Sequence, residues 1–314
     1  MSGNTAIVFG PTGRVGSACA HAARERGATV ILAMRNPQKA VPGQHQGTTE
    51  GVAFEKIVQA DLTQPDTVRA ALAGTGATRA FIYMVFGTPD NMRSTLTALK
   101  SAGIEFVVFL SSDSIKGDVR SVPPSEPIAW THAQVEINLA QIFGSEGFVA
   151  VRPTYFASNA FFWKSTIIND GEVRTAYPDA EFDWISPADI GRVCGSLLAG
   201  TAGGTHEIVR VSGPGILSQR DAASAIGTVL GKNIKVVQLD EEQGVAAWVK
   251  NNGMPELIAK HLVDVLRLRS LGEGSDRFSG PLYEEAVSNI RKYSGREPTN
   301  FPAWVEENKH EFHT

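Results

Sequence analysis

The sequence is poor in cysteine, in long apolar runs and in net charge. Only two cysteines occur in 314 residues, Cys19 and Cys194, far apart along the chain. That excludes a disulfide framework and a cysteine-rich zinc site, and it suits a reducing, cytoplasmic compartment. The longest apolar runs, 80–87 and 106–110, fall far short of the ~20 residues a membrane-spanning helix needs. No basic region precedes an apolar stretch near the N-terminus, so no secretory signal is expected. No Asn-x-Ser/Thr sequon occurs. The formal net charge is −4, and basic residues do not cluster with aromatics. Proteins that coat nucleic acid or anionic membrane carry basic surfaces, so neither partner is expected here. Hydrophobic residues at 42% and charged residues at 20% match a folded globular chain of one large or two modest domains.

Glycine is what stands out, with 31 residues, many at the ends of apolar runs. The first half alternates between two patterns. Strands are expected at 5–9, 29–33, 58–60, 80–86 and 105–110, and helices at 14–26, 65–73 and 91–101. Wholly apolar strands separated by helices imply a parallel sheet covered on both faces. With right-handed crossovers this is a doubly wound α/β fold. A proline-bearing loop follows at 116–127, then a helix at 131–145 and a strand at 148–152. Beyond that, strands are expected at 182–185, 207–211 and 234–239. Helices are expected at 187–198, 219–230 and 241–268, the last broken near 253–255. The expected division is a dinucleotide-binding domain at 1–154, to which 182–200 returns, and a smaller α+β substrate lobe at 155–314.

The segment Gly10-Pro-Thr12-Gly13-Arg14-Val15-Gly16 lies between the first strand and the first helix. Gly10 allows the tight turn, Gly13 lets the backbone approach a pyrophosphate, and Gly16 allows close packing of helix on strand. The helix N-terminus then offers unpaired N–H groups to phosphate. The end of the second strand selects the dinucleotide. An NAD site places an acid there for the ribose 2′-hydroxyl, but this chain has Ala33-Met34-Arg35-Asn36. Arg35 can fork onto a 2′-phosphate, with help from Arg14 and Lys39, so NADP(H) is expected. Asp61-Leu62, at the end of the third strand, would sit over the adenine; Asp61 could equally cap the next helix.

These stretches, with Leu110-Ser111-Ser112, the 131–136 segment, and Val151-Arg152-Pro153 followed by Asn159, resemble the NmrA-like family, a branch of the atypical short-chain dehydrogenases/reductases. The resemblance extends over nearly the whole chain, including 212–214 to 230–231 and 293–295 to 301. It implies a Rossmann fold and NADP(H) binding, with Phe86, Ser111, His132, Pro153 and Tyr155 beside the cofactor. The family includes reductases of plant and fungal metabolism and non-catalytic proteins that sense NADP(H) and regulate partners.

Short-chain reductases use a Tyr-x-x-x-Lys pair and a Ser on the preceding strand end. Many NmrA-like members lack the Tyr and keep the Lys in a Ser-Lys-x-x-x-Glu stretch. The matching stretch here runs from Thr131 to Glu136, with His132 at the Lys position and Ile128 at the Tyr position. The usual proton relay is therefore absent. His132 can act as acid or base or hold the ribose. Tyr155, Ser112 and Asp113 are the other catalytic candidates.

The segment Tyr155-Phe156-Ala-Ser-Asn159-Ala-Phe-Phe162-Trp163 is rich in aromatics. With Phe86 and Trp130 it suits a pocket for an aromatic substrate, though core packing explains it as well. His310-x-x-His313 has ligand spacing but no further ligand near it, so no metal is expected. The reading that follows is an NADP(H)-dependent oxidoreductase, monomeric or homodimeric, acting on a small, aromatic metabolite. Hydride would pass between nicotinamide C4 and a carbonyl, imine or iminium, or activated alkene. A redox-neutral cyclase or isomerase using His132, Tyr155, Asp113 or Glu136 as acid or base is an alternative. A non-catalytic NADP(H) sensor is another.

Overall fold

The structure is a computed structural model that describes residues 4–42, 54–200 and 208–313. Strand β1 (Thr5–Phe9) is apolar and almost fully buried, as a central parallel strand must be. It leads through the glycine loop into α1 (Arg14–Glu25). Then follow β2 (Thr29–Met34), β3 (Lys56–Gln59), α2 (Pro65–Leu72), β4 (Arg79–Tyr83), α3 (Arg93–Ser101), β5 (Phe106–Leu110), α4 (Pro127–Phe143) and β6 (Phe148–Pro153). The chain continues through α5 (Lys164–Asp170), β7 (Glu172–Ala176) and β8 (Glu181–Phe182), and returns through α6 (Pro187–Leu198) and β9 (Ile208–Val211). These build a seven-stranded parallel sheet of order β3-β2-β1-β4-β5-β6-β9. The order reverses between β1 and β4, so the doubly wound Rossmann-like fold is present. Its topology opens a crevice at the strand carboxyl ends.

The remaining chain forms β10 (Leu217–Ser218), α7 (Gln219–Leu230), β11 (Lys235–Leu239), α8 (Glu241–Asn252), α9 (Glu256–Ser270), α10 (Gly280–Ser294) and α11 (Phe301–Asn308). Two compact units result. The first holds the chain up to Pro153, Pro187–Val211 and Asn289–Arg296; the second holds Thr154–Ser186, Ser212–Ser288 and the chain from Glu297 onward. In the first unit, Ile7, Phe9, Ile82, Phe109 and Ala150 of the sheet pack on Val68, Leu96, Leu99 and Leu139 of α2, α3 and α4. On the other face α1 and α6 touch backbone to backbone. A Cβ on Gly191 would lie 2.5 Å from Val15 O, and one on Gly195 would lie 2.5 Å from Cys19 O. In the second unit, Trp163, Phe182, Trp184, Phe301 and Trp304 form the core.

Several boundaries differ from the sequence expectation for local reasons. Helix α4 starts at Pro127, not at 131. Proline is preset for the first helical position, so His132 falls in the second turn. Strand β4 stops at Tyr83, three residues before Phe86, and the chain turns at Gly87 with φ +81°. Helix α3 begins at Arg93 because Asn91 and Met92 are left-handed. Strand β8 covers Glu181–Phe182, so only Phe182 of the expected 182–185 strand is in a ladder, because Trp184 has φ +47°. Elements α5, β7, β10, α10 and α11 are not among those expected. In α10 the buried Ala286, Ile290 and Tyr293 have one-turn spacing, diluted by the exposed Leu282.

Candidate functional site

The glycine loop forms a cradle. Gly10 has φ +69°, and a Cβ there would meet the Tyr83 ring at 2.5 Å. Gly16 packs on the loop's own Gly10 carbonyl, 2.3 Å from where its Cβ would be, rather than on the strand. Gly13 is the N-cap of α1 and supplies no side-chain cap, and the first turn carries no acid. The N–H groups at that end and the helix dipole therefore favour an anion. Thr12 is half-buried, Val15 is buried and Arg14 is exposed. The donor set and the space left by the glycines fit a pyrophosphate.

Arg35 and Lys39 lie just beyond β2, both exposed, and among the described residues neither makes an ion pair. Gln59 donates to Arg35 O at 3.1 Å, and Asn36 closes an Asx turn with Gln38 N at 3.0 Å. Asp61 does not cap α2, whose N-cap is Gln64. Instead its Oδ1 accepts from Thr63 N at 2.9 Å and Thr63 Oγ1 at 2.8 Å. Leu62 is a core residue, so only its backbone can face a ligand. Tyr83, which the sequence reading missed, joins these groups. It covers Gly10, burial pushes its hydroxyl pKa up, and Arg35 and Asp61 act on it with opposite sign. Its signal was its place as the last residue of the strand beside β1.

Further along the same strand ends lie Ser111, Ser112 and Asp113. Ser111 is buried, and its Oγ donates to Glu136 Oε1 at 2.5 Å. Arg152, with no exposure at all, grips that carboxylate with two bonds, Nε to Oε1 at 2.9 Å and Nη2 to Oε2 at 2.6 Å. Its Nη1 has no hydrogen-bond partner among the described residues. Glu136 and Arg152 were visible in the sequence as motif members, but nothing in the spacing showed that they pair. Ser112 uses its hydroxyl in a local turn, accepting from Ser114 N at 3.2 Å and sharing a hydrogen with Ser114 Oγ at 2.8 Å. Asp113 Oδ1 faces Arg210 Nε at 3.5 Å. As a catalytic candidate it is thus already engaged in an ion pair.

His132 stands one turn before Glu136 on α4. Its Nδ1 lies 2.7 Å from Ile128 O. A carbonyl only accepts, so Nδ1 carries the hydrogen and Nε2 presents a lone pair. Burial lowers its pKa below the usual 6.5; the Ile128 bond and Glu136 oppose this, and Arg152 adds to it. Phe86, 53% exposed, meets the imidazole edge-on at 6.3 Å, and the buried Phe109 lies 6.2 Å away.

The structure does not gather the remaining residues into one aromatic pocket. Trp130 packs against a small cluster with Ile115, Val122, Ala129 and Ala133. Trp163 is 4% exposed and packs on Trp184, so it is core rather than pocket. Phe162 meets Trp248 of α8 at 6.1 Å. Phe156 bridges to Ile185. Tyr155, two residues after Pro153, stacks on Phe182 at 3.9 Å and meets Trp184 edge-on at 5.0 Å. Burial pushes its hydroxyl pKa well up, opposed by a bond with Asn159. Nearby in the same unit, burial raises the Asp183 carboxyl above its ordinary value, and burial with the Asp183 charge takes Tyr283 up to about 12. Among the described residues no group of three His, Cys, Asp or Glu could hold a metal ion, and no helix is long and apolar enough to cross a membrane.

A profile of the NmrA-like family matches residues 2–296. The chain belongs to the NmrA-like family. A nitrogen metabolite regulation-like protein of Gibberella fujikuroi is 35% identical over 322 residues, covering 95% of this chain and 94% of that one. An NAD(P)H azoreductase of Xenophilus azovorans is 26% identical over 263 residues, covering 83% and 86%. Among solved structures, the NADPH-dependent quinone oxidoreductase of Escherichia coli, complexed with NADPH, has TM-score 0.70 at 20% identity. It covers 98% of this chain and 99% of that one, and it shares the fold.

Proposed function

We propose that this protein is an NADP(H)-dependent reductase whose substrate is an iminium cation, or a similar electron-poor carbon, on a small aromatic framework. The azoreductase relative, named for NAD(P)H, supports a reductase. The cofactor is NADP(H). The Gly10–Gly16 cradle and the N-terminus of α1 would hold its pyrophosphate, and Arg35, with Lys39, its 2′-phosphate. When bound, NADPH supplies a hydride.

The observation that carries the substrate class is where the hydrogens lie. Ser111 donates its hydroxyl hydrogen to Glu136, and His132 donates its Nδ1 hydrogen to Ile128 O. Both residues therefore keep lone pairs and have no proton left to give. A carbonyl oxygen must gain a proton as its carbon is reduced, whereas an iminium nitrogen becomes a neutral amine without one. Tyr155, with its pKa raised, is a poor acid, and Asp113 is paired with Arg210. The neutral His132, kept so by burial, can also accept a bond from a hydroxyl. Phe86 offers an exposed aromatic face beside it, suited to a planar cation.

The test compares 2-methyl-3,4-dihydroisoquinolinium with 1-tetralone, a ketone of similar size, following NADPH consumption. The expected kcat/KM ratio favours the cation by about 100-fold, equivalent to ~2.7 kcal/mol of transition-state stabilisation. Equal rates, or a preference for the ketone, would overturn the substrate class. Failure of NADPH to bind in a calorimetric titration would overturn the reductase reading itself.

A further inference from the structure

Tyr83 ends β4, and Gly10 follows the last residue of β1. Both belong to the first unit. The strand order reverses between these two strands, and open α/β sheets bind ligands in the crevice at such a switch point. The Tyr83 ring lies against Gly10 along one edge. A Cβ on Gly10 would meet Cε1 at 2.5 Å, Cδ1 at 3.2 Å and Cζ at 3.3 Å. The ring also packs against the apolar core that the sheet shares with α2, α3 and α4. With the apolar body fixed in that way, the polar tip is the part of the side chain that can meet a ligand.

Among the described residues the Tyr83 hydroxyl makes no hydrogen bond. Half-buried, it gives up part of its hydration without compensation. Phenylalanine would fill the same space without that loss, so packing alone gives no reason for the hydroxyl. Its electrical surroundings are specific: the Arg35 cation and the Asp61 carboxylate both act on it, with opposite sign. Backbone bonds set these residues on one rim. Gly10 N donates to Ala33 O and Ala60 N to Met34 O, both at 3.1 Å, and Gln59 Nε2 donates to Arg35 O at 3.1 Å. Asp61 is engaged by Thr63, whereas Arg35 is exposed and makes no ion pair among the described residues. The cation is therefore the group on this rim with a place left for an anion. Burial pushes the Tyr83 pKa above the usual 10, so at neutral pH its oxygen keeps the hydrogen and can donate it. A phenolate in that place would repel a phosphate.

We infer that Tyr83 is a specificity-determining residue for the cofactor: its ring floors the adenosine-ribose subsite beside Gly10, and its hydroxyl donates to the 2′-phosphate that Arg35 holds. The inference rests on the proposed placement of NADP(H) on the glycine cradle and Arg35. In that cofactor the adenosine ribose joins the pyrophosphate to the 2′-phosphate. Tyr83 touches the cradle assigned to the one and lies within electrostatic reach of the arginine assigned to the other. A donor bonded to a phosphate dianion gains more than one bonded to a neutral ribose hydroxyl. The Tyr83 hydroxyl therefore adds more to the binding of NADP(H) than to that of NAD(H). Arg35 supplies the charge, and Tyr83 supplies a neutral donor fixed in direction by its packed ring.

The test titrates the full chain by calorimetry with NADPH, NADH and adenosine 2′,5′-bisphosphate, a fragment that carries the 2′-phosphate without the nicotinamide. Tyr83→Phe keeps the ring beside Gly10 and removes only the hydroxyl. In Y83F the Kd for NADPH and for the bisphosphate is expected to rise about tenfold, while the Kd for NADH stays within about twofold. Unchanged Kd values for NADPH and the bisphosphate overturn the inference. So does an equal loss for NADPH and NADH, which marks Tyr83 as a support of the glycine turn alone. Should Y83F fail to fold, as circular dichroism shows, Y83M fills the same space without a hydroxyl and is read by the same criteria. If the wild-type protein prefers NADPH and Y83F keeps that preference in full, the cofactor placement stands and the role of Tyr83 falls. If the wild-type protein binds NADPH no more tightly than NADH, both fall.

Discussion

Replacing Glu136 by Gln tests the buried centre of the site. Arg152 has no exposed surface, and the Glu136 side chain is 5% exposed. The carboxylate accepts two bonds from the guanidinium and one from Ser111. Glutamine keeps the volume and one acceptor oxygen. It removes the negative charge and sets an NH2 group against Arg152 Nη2. The guanidinium cannot turn to water, and its Nη1 already lacks a partner. Breaking such a pair costs about 3–5 kcal/mol, and these constraints put the expected loss in the upper half of that range. Urea unfolding measures it. The double variant E136L/R152M removes both charges and should recover most of the loss, giving a coupling of about 2 kcal/mol or more. The same change acts on His132. Its folded-state pKa lies below the ordinary 6.5, so its contribution to stability is present above pH 6.5 and lost as pH falls through the folded value. Glu136 favours the charged imidazole and Arg152 opposes it. Losing Glu136 alone should therefore shift the His132 titration, followed by NMR, to still lower pH. A stability loss below about 1 kcal/mol, the range of exposed pairs, or an upward shift of His132, would refute the reasoning.

Two further outcomes are expected. Arg35→Ala should weaken NADPH binding about five- to tenfold, or ~1–1.4 kcal/mol, the modest size reflecting an exposed guanidinium; NADH binding, titrated in parallel, should not change, and an equal loss for both would remove Arg35 from phosphate recognition. Gly195→Ala places a Cβ 2.5 Å from Cys19 O and 2.8 Å from Ala23 N, backbone atoms that cannot move aside singly. Separating α1 from α6 should cost about 1–3 kcal/mol in urea unfolding, and a neutral result would show that the two helices slide freely.

Much of the first unit was legible because its signals are local. Apolar strands such as 5–9 and 106–110 alternate with helices, and the glycine spacing marks the tight turn from β1 into α1. The expected 187–198 and 219–230 helices match the observed α6 and α7 residue for residue. Other features were less legible. Trp163 has the composition of a pocket residue and the burial of a core, while Trp130 packs half-buried on a separate small cluster, and composition distinguishes neither from a pocket wall. Asp61 has the residue type of a helix cap but closes its own turn, one position type serving two local structures. The glycines at 191 and 195 show four-residue spacing, yet only the arrival of α1 gives that spacing a purpose.

Fold class, family and the tight glycine turn at 10–16 are all written in the sequence, because periodicity, turn chemistry and motif spacing act over a few residues. It also set which proton donors are missing, through Ile128 and His132. Where the remaining hydrogens go depends on how the folded chain packs. Ser111, Glu136 and Arg152 come from three separate stretches of chain, and so do Thr154, Asp183 and Gly213. Hydrogen bonds between residues tens of positions apart depend on how strands and helices are brought side by side, and no local pattern records that.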